Sequence, residues 1–290
     1  MATNVIELKI KPEVKNLGEF SVGRLLPDKQ RQRVGPFIFF DHIGPAEFPA
    51  GKGVNVRSHP HIGLATITYL FEGEMLHRDN LGYVQEIRPG EVNWMTAGKG
   101  IVHSEKVTDA ILASGQRLHG LQVWVALPIE HEEIEPRFEH YAADGIPSLE
   151  KDGVQIRVVI GTAYGQTSPV RTESETLYVE IKLDDGAGVE LPQAEEVAVF
   201  VINGEVSVEG EAVAPGVLAV LNRNVRASLS ATSQAHVMIC GGAALAGERI
   251  VWWNFVSSSR ERLEQAKQDW RAGRFPEVPG EDDFIPLPDS

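Results

Sequence analysis

The chain has little cysteine and no long apolar run. Its 290 residues include a single cysteine, Cys240, so no intramolecular disulfide can form. Because Cys240 lies in the apolar stretch "HVMIC", we expect a buried, inert thiol in a reducing cytoplasm. The longest apolar runs, such as "VAVFVI" at 197–202, are far shorter than the ~20 residues that cross a bilayer, and the first residues contain no apolar signal segment. The sequence predicts a cytoplasmic protein without a membrane anchor.

Positive charge is also scarce. Lysine and arginine number 27 against 41 aspartates and glutamates, which gives a formal net charge of −14. This charge repels phosphate backbones, and no basic stripe with interleaved aromatic residues is present, so we expect no direct binding to nucleic acid. Apolar residues at 42% and charged residues at 23% are typical of a globular protein.

Helical periodicity is almost absent until the C-terminal region. Short alternating runs bounded by glycine, proline, asparagine and aspartate recur instead, and these indicate an all-β sandwich or barrel. The exception is "SSSRERLEQAKQDWRAGRF", in which Ser258 and Glu261 have the spacing of a capping box. Leu263 and Trp270 follow helical spacing, and Gly273 suits the residue after a helix end. The sequence predicts one C-terminal helix.

The two halves of the chain carry a weak repeat. In the first half "YLFEGEM" leads to "RPGEVNWM", and in the second "FVINGEV" leads to "APGVLAVL". Each is a strand, a Gly-Glu turn, a strand, a Pro-Gly turn and a further strand, which implies two copies of one β unit. The polar segment 139–155 suits a boundary. We therefore predict an N-terminal barrel over residues 1–140 and a C-terminal barrel, with the helix and tail, over residues 141–290.

Two pairs of polar side chains carry the spacing of a metal site. In "RSHPHIG" His59 and His61 flank Pro60, and in "GKGIVHSEKV" His103 and Glu105 repeat the i, i+2 spacing. Side chains two apart on a strand share one face, so two such pairs on neighbouring strands can converge on one point. Read in isolation, an HxH pair is more often structural, and His103 with Glu105 could be a surface ion pair. Together the pairs offer three imidazole nitrogens and one carboxylate.

The surrounding motifs resemble a known family. The segments "FFDHIGP", "HPHIGLATITYLFEGEMLHRDNLG" and "PGEVNWMTAGKGIVHSE" are similar to the pirin family of the cupin superfamily, and the resemblance continues weakly through "GERIVWWNFVSSSRERLEQAKQDWRAGRF". It implies a bicupin, with two antiparallel β-barrels of the double-stranded β-helix type and one mononuclear metal in the N-terminal barrel. By the same resemblance His59, His61, His103 and Glu105 are the metal ligands.

The ligand chemistry agrees with this resemblance but leaves the metal open. Imidazoles with one carboxylate suit Fe(II), which pirins usually hold, while zinc, nickel, copper and manganese are alternatives. Many pirins have a glutamate four residues after the second histidine, where this chain has Ala65. Glu105 is then the only carboxylate expected at the ion, and the proton chemistry rests on it.

The second half can be checked for ligands by counting from the repeated turns. The four ligand positions then fall on Glu190, Pro192, Leu229 and Ala231. These residues form no metal set, and His236 nearby is expected to be a hydrogen-bonded strand residue. The sequence predicts one ion per chain.

Four other residues are candidates for the site or the core. His42 and His77 could lie near the pocket, although an isolated histidine more often serves as a hydrogen-bonding residue. Trp252 and Trp253 are expected to dock the C-terminal segment.

The resemblance supports more than one function. Several bacterial pirins resemble quercetinases, which open a flavonol ring with dioxygen and release carbon monoxide; Glu105 would accept the proton of the substrate's 3-hydroxyl group. Other pirins act as iron-dependent, redox-sensing co-regulators that bind a protein partner without turnover, and a storage or isomerase-like cupin is a third alternative. The complete ligand set favours a quercetin 2,3-dioxygenase acting on flavonol-like phenols.

Overall fold

A computed structural model of the chain describes residues 4–18 and 20–288. Within them the chain is mostly β-structure, as the alternating runs predict. The strands that precede residue 143 are β1 (Ile6–Ile10), β2 (Glu13–Asn16), β3 (Ser21–Leu26), β4 (Phe37–Phe48), β5 (Asn55–His61), β6 (Leu64–Glu72), β7 (Met75–Asp79), β8 (Val84–Ile87), β9 (Val92–Thr96), β10 (Ile101–Lys106), β11 (Gln116–Ala126) and β12 (Arg137–Tyr141).

The strands of the second half are on average shorter. They are β13 (Ser148–Lys151), β14 (Val154–Ile160), β15 (Thr162–Ala163), β16 (Gln166–Thr167), β17 (Thr176–Leu183), β18 (Gly188–Glu190), β19 (Glu196–Asn203), β20 (Val206–Val208), β21 (Glu211–Val213), β22 (Leu218–Leu221), β23 (Ser228–Ala231), β24 (Ala235–Gly242), β25 (Ile250–Trp252) and β26 (Phe255–Ser257).

Helices are few in the described part of the chain. They are α1 (Asp109–Ser114) and α2 (Arg260–Arg271), with short 3₁₀ turns at Ile129–His131 and Ala143–Gly145. Neither α-helix of residues 4–18 and 20–288 has the length and apolar character needed to cross a bilayer.

The chain folds as two compact units that interleave along the sequence. The C-half unit comprises residues 4–14, 23–40 and 144–245, and the N-half unit comprises 15–18, 20–22, 41–143 and 246–288. This division differs from a single cut after residue 140. The reason is long-range pairing: β1 forms an antiparallel pair with β22 in the C-half unit, and α2 packs beside Ile62 and Phe255 in the N-half unit.

Each unit contains a large sheet and a four-stranded sheet. In the C-half unit the orders are β1-β22-β19-β24-β17-β14-β13 and β18-β23-β20-β21. In the N-half unit the orders are β12-β9-β6-β11-β4-β3-β2, in which β2, β3 and β4 each belong to the unit only in part, and β5-β10-β7-β8. The repeated plan confirms the predicted all-β bicupin with a C-terminal helix.

The repeated Gly-Glu turn is the local signature of this plan. Gly73 and Gly204 occupy corresponding turns with φ of 81° and 86°, a region that L side chains rarely adopt. A Cβ at Gly73 would lie 2.6 Å from the carbonyl oxygen of Arg117, and one at Gly204 would lie 2.4 Å from that of Gln234. Both turns therefore require glycine for backbone shape and for close approach.

The C-terminal helix begins one residue later than the sequence predicts. Ser259, not Ser258, is the N-cap, and its hydroxyl accepts a hydrogen bond of 3.2 Å from the backbone N–H of Arg262. Ser258 instead binds a buried carboxylate, because its N–H and its hydroxyl both donate hydrogen bonds to Glu132, at 3.0 and 2.9 Å. Gly273 follows the helix with φ of 64°, as predicted.

The two adjacent tryptophans also lie where the sequence places them. Trp252 and Trp253 pack in the apolar cluster that receives α2, and Lys267 of this helix lies 4.1 Å from the centroid of the Trp252 ring. Cys240 is wholly buried in β24, and burial raises the pKa of its thiol to about 12. The packing of the two tryptophans against α2 and the burial of the Cys240 thiol are as the sequence predicts.

The buried ion pair of Glu132 gives a stability prediction. Its carboxylate lies 2.7 Å from Nε of Arg249, and the two side chains are 6% and 2% exposed. A Glu132→Ala substitution leaves the guanidinium buried without this partner, so we expect a loss of about 3–5 kcal/mol in the free energy of unfolding. Urea denaturation measures it. The exposed Glu135, which pairs with Lys99, is the control, and Glu135→Ala should cost less than about 1 kcal/mol.

Candidate metal centre

Three histidines of the four-stranded sheet in the N-half unit meet at one point. His59 and His61 end β5, and β10 pairs antiparallel with β5 so that His103 lies opposite His59. One nitrogen from each imidazole lies within 4.8 Å of the other two, and Nε2 of His61 is 3.1 Å from Nε2 of His103. The i, i+2 spacing on β5 and the antiparallel register therefore bring together three residues far apart in sequence.

Burial keeps these imidazoles neutral. Their residues are 6%, 1% and 1% exposed. Burial lowers the pKa of His59 to about 4, and burial together with the neighbouring histidines holds the pKa values of His61 and His103 well below the usual range. At neutral pH all three rings are uncharged, which is the form in which imidazole binds a metal.

Two of the rings are oriented from behind by hydrogen bonds. Nδ1 of His59 lies 2.8 Å from the carbonyl oxygen of Arg57, so it donates to this oxygen and leaves Nε2 as the lone-pair nitrogen. Nδ1 of His103 lies 3.4 Å from Nδ1 of His77, whose Nε2 lies 2.8 Å from a carboxylate oxygen of Asp79. Such outer hydrogen bonds are typical of metal-binding histidines.

The geometry fits a single small cation. Two nitrogens bound at ~2.1 Å to one ion lie ~3.0–3.4 Å apart for right-angled or tetrahedral ligation, and the His61–His103 nitrogens are separated by 3.1 Å. The donors are neutral, buried and aimed at a common point. These three histidines are therefore a candidate metal site, and the sequence predicted all of them.

Glu105 lies on the same strand, two residues beyond His103. It is only partly buried, and the β5 partner strand has a bulge between the positions opposite His103 and Glu105. Burial raises the pKa of the Glu105 carboxyl to about 7. The group of atoms within 4.8 Å of one another comprises the three histidines, so the role of Glu105 as a fourth ligand stays a prediction.

Aromatic side chains surround the cluster. The ring of Trp124 meets that of His61 edge-on with centroids 5.2 Å apart, and Phe138 stacks on His77 at 4.2 Å. Sequence reasoning did not single out Trp124, Phe138 or Asp79. Asp79 carried a usable signal, since "HRD" repeats the i, i+2 spacing of the ligand pairs, whereas Phe138 reaches the site from a strand more than 30 residues beyond His103.

The remaining candidate histidines divide into two groups. His77 contacts the cluster through His103, while His42 pairs with His119, with Nε2 atoms 2.8 Å apart. Nε2 of His236 in the C-half unit lies 2.8 Å from a carboxylate oxygen of Glu180, which confirms the expected hydrogen-bonded strand residue.

The corresponding interior of the C-half unit is aliphatic. Leu229 and Ala231 lie in its apolar core and Pro192 is buried, whereas Glu190 is exposed at the end of β18. None of the four counted positions therefore places a metal-binding side chain in the interior of this unit. The described part of this unit contains no cluster of three metal-binding side chains.

Fold and site together define a bicupin with a candidate mononuclear metal centre in one unit. Two family models match the chain, Pirin over residues 19–125 and the Pirin C-terminal cupin domain over residues 178–276. The chain belongs to the pirin family.

Relatives agree with this assignment. The chain is 45% identical to a pirin-like protein of Caulobacter vibrioides, over 98% of this chain and 100% of the relative. The crystal structure of quercetin 2,3-dioxygenase from Acinetobacter baumannii matches with a TM-score of 0.91 at 32% identity, covering 98% and 95% of the two chains. A bacterial pirin, YhhW from Escherichia coli, solved in complex with nickel(II), shares the fold with a TM-score of 0.64 at 22% identity, covering 82% and 99%.

Proposed function

We propose that this pirin is a mononuclear non-heme metal dioxygenase of the quercetin 2,3-dioxygenase type, acting on flavonol-like phenols. The observation that carries the proposal is the buried cluster of His59, His61 and His103, which presents neutral nitrogens to one point. The likeness to the quercetin 2,3-dioxygenase of Acinetobacter baumannii supports the reaction class. The fold alone would not support a reaction class, because one fold hosts many activities.

The proposed ion is Fe(II). Three imidazoles, with the Glu105 carboxylate two residues beyond His103 on β10, suit ferrous iron, while zinc, nickel, copper and manganese remain alternatives for the same ligands. When bound, such an ion supplies Lewis acidity toward a phenolic oxygen and redox chemistry toward dioxygen. Nickel in the Escherichia coli pirin is a property of that protein and makes nickel the first alternative to test.

Glu105 is the proposed base. Its carboxyl has a pKa of about 7 because the surrounding protein shields this partly buried group from water, and a base whose pKa lies near the working pH is effective in proton transfer. We assign to it the proton of the substrate's 3-hydroxyl group. Ala65, where many pirins have glutamate, contributes no carboxylate, so this task falls to Glu105.

Trp124 is the proposed wall for the flat substrate. Its side chain lies beside His61 and is 7% exposed, so its ring forms a rigid apolar surface next to the cluster. An aromatic surface of this kind orients a planar phenol and keeps water away from the reacting carbon atoms.

An oxygen-uptake assay tests the proposed function. Protein loaded with Fe(II) should consume dioxygen with flavonols. It should be inactive with the matched 3-O-methyl flavonols, because these compounds lack the 3-hydroxyl proton that Glu105 would remove. The panel also includes catechol-like phenols. If protein with one ion per chain consumes no dioxygen with any phenol, the dioxygenase proposal is wrong and the redox-sensing, protein-binding alternative takes its place.

A further inference from the structure

We infer that Asp79 and His77 form a relay that selects the tautomer of His103 and thereby presents its Nε2 lone pair to the metal. The inference rests on the proposed metal centre. Neither side chain would touch the ion, and both would act through His103. Asp79 and His77 are positioning residues in this account.

The relay starts at a carboxylate whose hydrogen bonds are fixed. The Asp79 side chain is 0% exposed. Its Oδ1 accepts hydrogen bonds from the backbone N–H groups of Leu81 and Tyr83, at 2.9 and 3.1 Å. Its Oδ2 lies 2.8 Å from Nε2 of His77. A carboxylate oxygen accepts this hydrogen bond, so Nε2 of His77 carries a hydrogen.

The His77 ring is held in this orientation by packing. It stacks on Phe138 with centroids 4.2 Å apart and an interplanar angle of 14°. Strand β7 pairs with β10, so that Asp79 lies opposite His103 and His77 lies opposite Glu105. The bond to Asp79 and the stacking together prevent a ring flip, so Nδ1 of His77 faces His103, and the relay assigns to this nitrogen the role of acceptor.

The third step reaches the metal ligand. Nδ1 of His103 is 3.4 Å from Nδ1 of His77, and the acceptor on His77 requires the hydrogen of His103 to be on Nδ1. Its Nε2 is then a lone pair, and this is the atom 3.1 Å from Nε2 of His61. The Arg57 carbonyl oxygen does the same for His59 directly, so His103 differs in using two side chains.

This arrangement explains the "HRD" motif of β7. Histidine and aspartate two apart share one face of the strand, and that face is the one that carries His103 on the neighbouring strand. An isolated neutral imidazole exchanges its hydrogen between both nitrogens, whereas the relay reserves one of them for the ion.

Metal-free protein provides the direct test. Selective ¹⁵N labelling of the nine histidines and long-range ¹H–¹⁵N spectra report which ring nitrogen of His103 carries the hydrogen. Zinc affinity is measured in parallel by competition with a chromophoric chelator. The variants are Asp79→Asn, His77→Phe, which keeps a ring against Phe138, and His77→Gln, whose amide oxygen can still accept from Nδ1. The matched control is His140→Phe, because His140 bonds to Asn93 and not to the cluster.

The expected result is specific. In the wild type His103 carries its hydrogen on Nδ1; Asp79→Asn and His77→Phe mix the tautomers and weaken zinc binding by about 10- to 100-fold. His77→Gln should restore most of the affinity, and the control should match the wild type. A wild-type hydrogen on Nε2 of His103 would overturn the inference without any variant, as would unchanged zinc affinity in both Asp79→Asn and His77→Phe.

These readouts are independent of the reaction. A protein that shows the Nδ1–H tautomer and the affinity losses, but consumes no dioxygen with flavonols, rejects the dioxygenase and keeps the relay. Oxygen uptake in a protein whose His103 tautomer is insensitive to Asp79 rejects the relay and keeps the dioxygenase.

Discussion

His103→Ala should reduce the metal content of the protein to less than about a tenth of the wild-type value after identical loading and desalting. The substitution removes one of three converging nitrogens and leaves two imidazoles, and losing even an outer partner of a ligand commonly costs 10- to 100-fold in affinity. Metal analysis by mass spectrometry measures the content, and circular dichroism establishes that the variant is folded.

His236→Ala is the control for this prediction. His236 is hydrogen-bonded to Glu180 in the C-half unit, so the control should keep the wild-type metal content. If His103→Ala binds as much metal as the wild type, the three-histidine cluster is not the binding site. If His236→Ala instead loses the ion, the site lies in the unit in which we place none.

Glu105→Gln should lower turnover on flavonols by about 10²- to 10⁴-fold per bound ion. Glutamine keeps the size and one oxygen but removes the basicity, while the three imidazoles remain, so metal binding should weaken without being lost. The base acts only when it is deprotonated, and its pKa in the metal-free protein is about 7. A bound cation lowers this value. Wild-type turnover should therefore rise with pH up to about 7 or below, and the glutamine variant should lack this rise.

The comparison needs a carboxylate of the same sheet as its control. Glu86 lies on β8, is 40% exposed and pairs with Arg88, so Glu86→Gln should keep wild-type turnover and its pH dependence. Wild-type turnover per ion in Glu105→Gln would remove Glu105 as the base and return the question of proton transfer to other groups near the cluster.

The metal cluster could be predicted because it depends on local periodicity. The side chains of His59 and His61 share a face on any strand, and the turn glycines Gly73 and Gly204 mark the repeat that predicts two similar units. The C-terminal helix was also readable, although its cap was placed one residue early. Ser258 instead donates hydrogen bonds to Glu132, which lies more than 120 residues away in sequence. No local sequence pattern indicates a contact at this distance.

Other features depend on contacts between distant parts of the chain. The pairing of β1 with β22 interleaves the two units, and nothing within β1 specifies this partner. Phe138 reaches His77 from β12 for the same reason. Local patterns therefore predict strands, turns and ligand pairs, and tertiary packing decides what surrounds them.

The most direct test of the proposed dioxygenase is the carbon monoxide released per dioxygen consumed when the Fe(II)-loaded protein acts on a flavonol. Cleavage of the quercetinase type predicts that the wild type releases one carbon monoxide for each dioxygen consumed. The His103→Ala variant should neither consume dioxygen nor release carbon monoxide. Dioxygen consumption without carbon monoxide, or no consumption by protein that holds one ion per chain, would contradict the account.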